Sequence, residues 1–473
     1  MTKRIYLDYA ATTPVDPEVR ESMLPYLGEH FGNPSSVHSC GQESRRAVEA
    51  ARAQVASLIG ARPEEIVFTS GGTEADNAAI EGVAFGNRRK GNHIITTAIE
   101  HDAVLECCRF LEGQGFNVTF LPVDKTGLVE PEAVKKAITP KTILISVMHA
   151  NNEVGTVQPI AEIGGIARGS GVYFHTDAVQ TAGHIPVNVG ELNVDLLAIS
   201  AHKLHGPKGV GALYVRPGTV MTPFMHGGSQ EKGRRASTEN VAGIAGFGRA
   251  AEMARASLAS EQERLTLMRD GFIRAALSAI PGARLNGHPE KRLPNNINLS
   301  IEGVTGEALV LNLDLAGICA STGSACSSAS HQASHVLRAI GLTPEQAHGS
   351  LRLSLGKWTT GQELDVALEA LKRIVSNLRA EPIAPPRTEK AAAGARTGRF
   401  KGDGIVVFPD VSASIKGAGV LKAAGVENKL VAPPPKMRMG CDLALEVYLA
   451  EKPQIEKLFT EKEVAFSGIL PLD

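Results

Sequence analysis

The sequence predicts an α/β fold with a largely parallel sheet covered on both faces, a second and smaller α+β domain, and a separate small unit at the C-terminus. Three observations point there. From about residue 60 to 215, short β-branched runs alternate with helical stretches. After residue 250 the pattern changes to long helices. Residues 381–401, EPIAPPRTEKAAAGARTGRFK, are rich in Pro, Ala, Gly and basic residues without apolar periodicity, the composition of a linker.

EEIVFTS, residues 64–70, reads as the first strand of the alternation, and TEADNAAIEGVAFG as the helix after it. NHIITTA and HDAVLECCRFLEGQG repeat the pair, and KTILISVM, GVYFHTD, VDLLAIS and GALYVRP supply further strands. In such sheets ligands sit beyond the carboxyl ends of the strands. The smaller domain follows as AGFGRAAEMARASLASEQERLTLMRDGFIRAALSAI, helical, with NNINLSI and LRLSL as strands and two more helices. Past the linker, GIVVFP reads as a strand, residues 411–424 as a helix ending at Gly425, NKLVAP as a strand and DLALEVYLA as a helix. A helix with Pro453 in its first turn and Ile455, Leu458 and Phe459 on one face follows, and VAFSGILPL closes a βαβααβ unit. At roughly 70 residues it is near the lower limit for an independent fold.

The 473 residues suffice for two or three domains with large cores. Lys and Arg number 49 against 50 for Asp and Glu, a balance that gives no electrostatic reason to expect nucleic acid or an anionic membrane as partner. MTKRIYLDYAATTP lacks the apolar core of a signal peptide, and no apolar run is long enough to span a bilayer, so a cytoplasmic protein is expected. Six cysteines are too few for a disulfide framework, and no pair has zinc-ribbon spacing. Reduced thiols and no metal are the expectation.

SGGTEADN, residues 70–77, sets Gly72 and Thr73 between a strand and a helix, where backbone N–H groups and the helix dipole suit a phosphate. Gly-Gly before Thr is also an ordinary turn and N-cap. HTDAVQ, residues 175–180, and SAHKLHGPKG, residues 200–209, each follow a strand directly. An acid, a lysine flanked by histidines and a phosphate cup, each at a parallel strand end, are the parts that hold pyridoxal phosphate. The lysine makes the Schiff base, the acid keeps the ring nitrogen protonated, and the cup binds the phosphate. Taken singly, Lys203 reads as a surface charge and Asp177 as a cap; their joint placement argues against both. His101, in IEHDAVL, fits a helix start as well as a cofactor contact.

YLDYAATTPVDPEV, FGNPSSVH, TSGGTEADNAAI, EHDAVL, MHANNEVGTVQPI, HTDAVQ, SAHKLHGPKGVGALYV, MHGGSQEKGRRAST, STGSACSSAS and HVLRAIGLTPEQAHGSLRLSLG are collinear over about residues 3–378. Together they resemble the cysteine desulfurases of the NifS/IscS group. The resemblance implies the aminotransferase-like fold of pyridoxal 5′-phosphate enzymes, L-cysteine as substrate and a homodimer. By motif it implies Lys203 on the cofactor aldehyde, Asp177 at the ring nitrogen, Gln180 at the ring hydroxyl, and His101 stacked on the ring and assisting proton transfer. Thr73, Ser200 and His202 would hold the phosphate with Thr238 of the other subunit, while Asn152 and Arg352 grip the substrate, the planar guanidinium suiting its carboxylate. The expected domains are 1–15 with 258–380, carrying the catalytic cysteine loop, 16–257 as the large cofactor domain, the linker, and 402–473.

GICASTGSACSSAS sets Cys326 among Ser, Gly and Ala, a composition suited to an exposed, mobile loop. Cys319 reads as strand packing, the pair Cys107 and Cys108 as helix packing, and Cys40 fits either a packed or an open position. The resemblance selects Cys326 as the nucleophile that takes sulfur from cysteine, releases alanine and keeps a persulfide. The long loop implies that persulfide passes to other proteins.

NifS/IscS enzymes of the scaffold-binding kind end in a short tail, where this chain runs on into the small unit, which resembles small sulfur/selenium carrier proteins with a cysteine at a helix start. Those proteins tend to carry serines before the cysteine and glycine after it, where this chain has Met439-Gly440 and Asp442. A thiol at Cys441 in a first helical turn, near Lys436 and Arg438, would have a depressed pKa, with Asp442 opposing. The alternative is a cysteine packed beneath the helix in a docking or dimer-stabilising module. A flexible 20-residue linker spans roughly 25 Å, which sets an effective concentration of about millimolar for Cys441 near Cys326. The expected function is therefore sulfur delivery, to an iron–sulfur scaffold, another acceptor or the chain's own C-terminal unit. The rival functions are a selenocysteine lyase, and another aminotransferase or lyase with a non-catalytic C-terminal binding module.

Overall fold

The structure, a computed structural model, describes residues 4–323, 333–380, 402–409, 411–431 and 443–472. The chain divides into two compact units, Met1–Glu381 and Pro382–Asp473.

The first unit is built on a seven-stranded sheet in the order Ile66–Thr69, Gly211–Val215, Leu196–Ser200, Tyr173–Asp177, Thr142–Ser146, His93–Thr97, Asn117–Leu121. Gly211–Val215 runs antiparallel to both neighbours, and the other pairs are parallel. Successive side chains of these strands enter two different cores. Ile66, Phe68, Ile95, Ile145, Leu197 and Ile199 join one, and Val67, Ile94, Leu144, Leu196 and Ala198 join the other. A sheet buried on both faces needs apolar side chains at both parities, so its strands read as continuous β-branched runs. The helices Ser39–Leu58 and Val241–Ala279 close the first core, and Gly72–Gly86 with Asp102–Gly113 close the second. The carboxyl ends of the parallel strands therefore open on one common edge.

An antiparallel sheet, Ser350–Ser354, Asn296–Ile301 and Ala283–Leu285, forms a separate core. Ile297, Leu299, Leu351 and Leu353 pack there with Phe272 and Ala276 of the long helix and Leu371 and Ile374 of Gly361–Ala380. Ile5–Tyr6 pairs in parallel with Ile318–Cys319, and Asp8 bridges to Ser354. Residues 7–13 thus lead from this small sheet to the open edge of the large one. Among the described residues, no helix is long and apolar enough to cross a membrane.

The second unit is an antiparallel sheet in the order Lys429–Val431, Ala444–Val447, Gly404–Val407, Gly468–Pro471. Helices Val411–Ala423 and Lys452–Glu461 contribute Leu421, Ile455 and Phe459 to a core with Val406, Leu445 and Val447. Full burial of Ile455 and Phe459 stabilises the unit by about 1.5–3 kcal/mol each. The helix ends as the sequence predicts: Gly425 has φ of 74°, its N–H donates to Lys422, and the Val426 N–H donates to Leu421 at 2.9 Å. Those two bonds close the carbonyls that a helix end leaves open.

One predicted helix of this unit is a strand. DLALEVYLA reads as a helix, but Ala444–Val447 is a strand between Gly404–Val407 and Lys429–Val431, so the unit's order there is strand, strand, helix. Leu445 and Val447 share one face while Glu446 takes the other, a period of two that the leucines and alanine of the stretch obscure. Pairing on both sides outweighs the modest helix propensity of Leu, Ala and Glu. The helix dipole invoked for Cys441 therefore has no counterpart in the residues after it. Cys441 itself lies outside the described residues.

Candidate active site

Gly71 and Gly72 leave the strand Ile66–Thr69 and open the helix Gly72–Gly86. A Cβ on Gly72 would lie 2.7 Å from the Val179 side chain and 3.6 Å from Ser200 Cβ, so glycine lets the helix start close against the two neighbouring strand ends. The Ser200 hydroxyl there is buried and has no hydrogen-bond partner among the described residues. A buried hydroxyl without a partner costs about 1–3 kcal/mol. Beside a helix N-terminus it fits a phosphate oxygen. His202 is tied by Nδ1 to the Thr12 hydroxyl at 3.1 Å, and burial, with Lys203 and Lys208 nearby, pushes its pKa down to about 4.

Asp177 ends the strand Tyr173–Asp177 and is buried; its carboxylate accepts the Val179 N–H at 2.8 Å. Burial pushes its pKa up, while His101, that N–H bond and Lys203 pull it down. A cationic ring nitrogen at this carboxylate would act in the same direction as His101 and Lys203. His101 caps the helix Asp102–Gly113, its Nδ1 accepting the Ala103 N–H at 3.1 Å. The helix-start reading of His101 therefore holds, and its charge also acts on Asp177. Lys203 Nζ donates to the carbonyls of Ala10 and Ala11 at 2.5 and 2.8 Å, and Gln180 Nε2 donates to the same Ala10 carbonyl at 3.0 Å.

Two residues before Ala10, Asp8 takes an ion pair from Arg352 at 2.9 Å. Arg352 is buried, donates to the Asn152 carbonyl at 3.1 Å, and keeps its Nε without a partner among the described residues. An unpartnered guanidinium N–H next to Asn152 suits an incoming carboxylate. The structure therefore brings together Gly72, Ser200, Asp177, His101, Gln180 and Lys203, and joins Arg352 to Asn152. The N-terminal segment connects the two groups. Thr73 and Thr238 are exposed, and Cys326 lies outside the described residues.

Beneath Asp177 the sequence hides more acid than it advertises. Burial raises Asp76 well above the carboxylate range, and it sits 3.4 Å from His175, whose pKa burial lowers to about 3. Burial also pushes Glu100 up to about 8, against hydrogen bonds from Thr97 and the Met148 N–H. Burial thus disfavours the charged forms of Asp76 and Glu100, the acids that share this region with Asp177. A polar residue inside an otherwise apolar strand or helix face was the available signal, as with His175 in YFHTD.

Three other thiols sit in packed elements. Cys107 and Cys108 are buried in the core under Asp102–Gly113, and burial pushes Cys108 up to about 12. Cys319 pairs with Tyr6 in the short parallel strand, and burial raises its thiol. Cys40 is exposed.

Residues 5–366 match the family described as Aminotransferase class-V, and residues 403–471 match the Se/S carrier protein-like family. The cysteine desulfurase IscS of Dictyoglomus turgidum is 58% identical over 379 residues, covering 80% of this chain and 96% of the relative. The cysteine desulfurase IscS of Methanosarcina thermophila is 54% identical over 81% of this chain and 95% of the relative. Among solved structures, a NifS-like protein is similar at a TM-score of 0.75 and 39% identity, covering 79% of this chain and all 100% of that one. The structure titled SspA in complex with cysteine is similar at a TM-score of 0.67 and 38% identity, over 75% of this chain and 100% of that one. A strand-end lysine and acid, a buried arginine beside an asparagine and these likenesses converge: the chain belongs to the class-V aminotransferase family, pyridoxal 5′-phosphate enzymes, and within it to the cysteine desulfurases.

Proposed function

We propose that Cys326 is the thiol that takes sulfur from L-cysteine in this pyridoxal-phosphate-dependent cysteine desulfurase, and that Cys441 receives the sulfur from it. The first half is supported by the grouping of Asp177, Lys203 and Arg352 around residues 8–11, groups suited to the cofactor and to an amino-acid carboxylate, together with the STGSACSSAS motif around Cys326.

The bound cofactor supplies an electron sink that acidifies the substrate Cα–H and weakens its Cβ–S bond. Asp177 keeps a proton on the ring nitrogen, and Ser200, His202 and the helix start at Gly72 and Thr73 hold the phosphate. Arg352 and Asn152 orient the substrate carboxylate, and Lys203 carries the Cα proton, its amine held ready by the Ala10 and Ala11 carbonyls. The Cys326 thiolate then attacks the substrate sulfur. A sulfur–sulfur bond forms, the Cβ–S bond breaks with its electron pair left at Cβ, and that carbon takes a proton to become alanine.

The subunit arrangement is part of the proposal. Leu27, Phe31 and Val37 expose 69%, 79% and 93% of their surfaces within one short segment, a patch that a second copy of the chain would cover. In that homodimer the exposed Thr238 of each subunit would reach its partner's phosphate site. Sedimentation equilibrium at micromolar concentration is expected to give twice the chain mass, and the mass of a monomer would refute it.

The match of residues 403–471 to the Se/S carrier protein-like family supports Cys441 as the second station. Because a relay by persulfide needs reduced thiols, the enzyme would work in the cytoplasm, with an iron–sulfur scaffold or another acceptor as the final recipient. Mild oxidation of the holoenzyme is expected to trap a Cys326–Cys441 disulfide, found by peptide mass and absent from Cys441→Ser. Sulfur found on Cys326 after turnover and never on Cys441 would make the C-terminal unit a binding module. The same experiment with L-selenocysteine reads whether selenium is carried too.

A further inference from the structure

Glu153 is a buried carboxylate that the chemistry above does not use. It lies one residue beyond Asn152, in a turn fixed by Asn151, whose side-chain oxygen accepts the N–H groups of Glu153 and Val154 at 2.9 Å each. The Glu153 carbonyl accepts the side-chain amides of Asn296 and Asn298 at 3.2 and 3.0 Å, which fastens this turn of the large domain to the central strand of the small sheet. The backbone at Glu153 is therefore fixed on both sides.

That side chain meets both ends of the segment that contains Cys326. On the C-terminal side, the Ser334 hydroxyl donates to Glu153 Oε2 at 2.6 Å. The same oxygen of Ser334 accepts the Leu337 N–H at 3.2 Å and so caps the short helix His335–Ala339. On the N-terminal side, Gly323 has φ of 139°, a conformation that favours glycine, and a Cβ there would lie 2.9 Å from Glu153 Oε2, so the backbone runs close to the carboxylate. Each end is also held independently. Ser321 exchanges backbone hydrogen bonds with Arg352 at 2.7 and 3.1 Å, and the Thr322 carbonyl accepts the Ser350 hydroxyl at 2.7 Å. His335 bonds the Glu100 carbonyl at 3.0 Å, and Val336 and Leu337 pack against Ile99, Met148 and Val154.

We propose that Glu153 is a positioning residue for sulfur transfer, its carboxylate bonding Ser334 and lying against Gly323, the two ends that flank Cys326, from the turn that presents Asn152. A carboxylate in this place is costly unless its surroundings favour it. Burial pushes its pKa up, while the Ser334 hydroxyl, His335 and Arg352 pull the other way, and Asp102 adds to the rise. The proposal rests on Cys326 being the acceptor thiol. It extends that role by fixing the starting point of the Cys326 segment relative to the residues that hold the substrate.

The test uses full-length holoenzyme carrying Glu153→Ala, Glu153→Gln, Ser334→Ala and the Glu153→Ala/Ser334→Ala pair. The cofactor absorbance change on adding L-cysteine reads substrate binding, and the rate of persulfide appearance on Cys326 reads sulfur transfer. Backbone hydrogen exchange in 320–323 and 333–337 reads the two ends directly. Glu153→Ala is expected to bind cysteine within about 3-fold of wild type and to form persulfide at least 10-fold more slowly, with faster exchange at both ends. Glu153→Gln, which keeps an oxygen for the Ser334 hydroxyl, should recover most of the rate, and the double variant should be no slower than the worse single one. The proposal is overturned if Glu153→Ala transfers sulfur within 3-fold of wild type, or loses cysteine binding in the same proportion as transfer. Should Glu153→Ala fail to fold, Ser334→Ala decides by the same two criteria. Retained desulfuration in Cys326→Ser would instead remove the nucleophile assignment and leave the hydrogen-exchange comparison standing.

Discussion

Replacing Lys203 by alanine is expected to lower desulfuration of L-cysteine by at least about 10⁴-fold, with the chain still folded. Two effects combine in that number. The amine is the covalent anchor for the cofactor and the carrier of the Cα proton, and a positioned acid–base group alone contributes about 10²–10⁴-fold. The folded state loses less, because the helices and strands that deliver Lys203 belong to a core the side chain does not enter. The carbonyls of Ala10 and Ala11 lose a charged donor, at a cost of about 1–3 kcal/mol. Borohydride reduction provides the check. Wild-type enzyme should retain cofactor mass on the peptide containing Lys203, and the variant should retain none and turn over no cysteine. Turnover within tenfold of wild type would remove Lys203 from the chemistry.

Cys326→Ser is expected to lower persulfide and alanine formation by at least about 10³-fold while leaving the cofactor's response to cysteine in place. A hydroxyl of similar size is neither ionised at neutral pH nor a nucleophile toward sulfur, whereas a thiol is partly both. The groups that hold cofactor and substrate lie on other elements, Asp177 and Lys203 at strand ends of the large sheet and Arg352 in the small one, so the substitution should not reach them. Desulfuration at the wild-type rate would favour an aminotransferase or β-elimination lyase, chemistry that needs no cysteine nucleophile.

The strands of the large sheet were legible because burial on both faces writes itself as short runs of mostly apolar residues without polar alternation, from IVFT at 66–69 to LLAIS at 196–200. Asp177 and Lys203 were legible for a related reason, since polar residues directly after such runs fall on the edge where ligands bind. Arg352 was not legible from its surroundings. LRLSL reads as an ordinary strand, and the residue's partners, Asp8 and the Asn152 carbonyl, lie 344 and 200 positions away. The carbonyls of Ala10 and Ala11 carry no side-chain signature at all. Glu153 reads as one acid in NNEVG until Ser334, 181 residues on, is brought against it. In the second unit, ALEV at 444–447 carries helix formers at strand parity, and only its two neighbouring strands decide the outcome.

The measurement that bears most directly on the account is the mass of the Cys326 peptide after a single turnover of the holoenzyme with L-cysteine, digested under conditions that preserve persulfides. One added sulfur atom on that peptide, with one equivalent of alanine released and none of either in Cys326→Ser, is the expected result. Alanine released with no added sulfur on Cys326 at any time would contradict it.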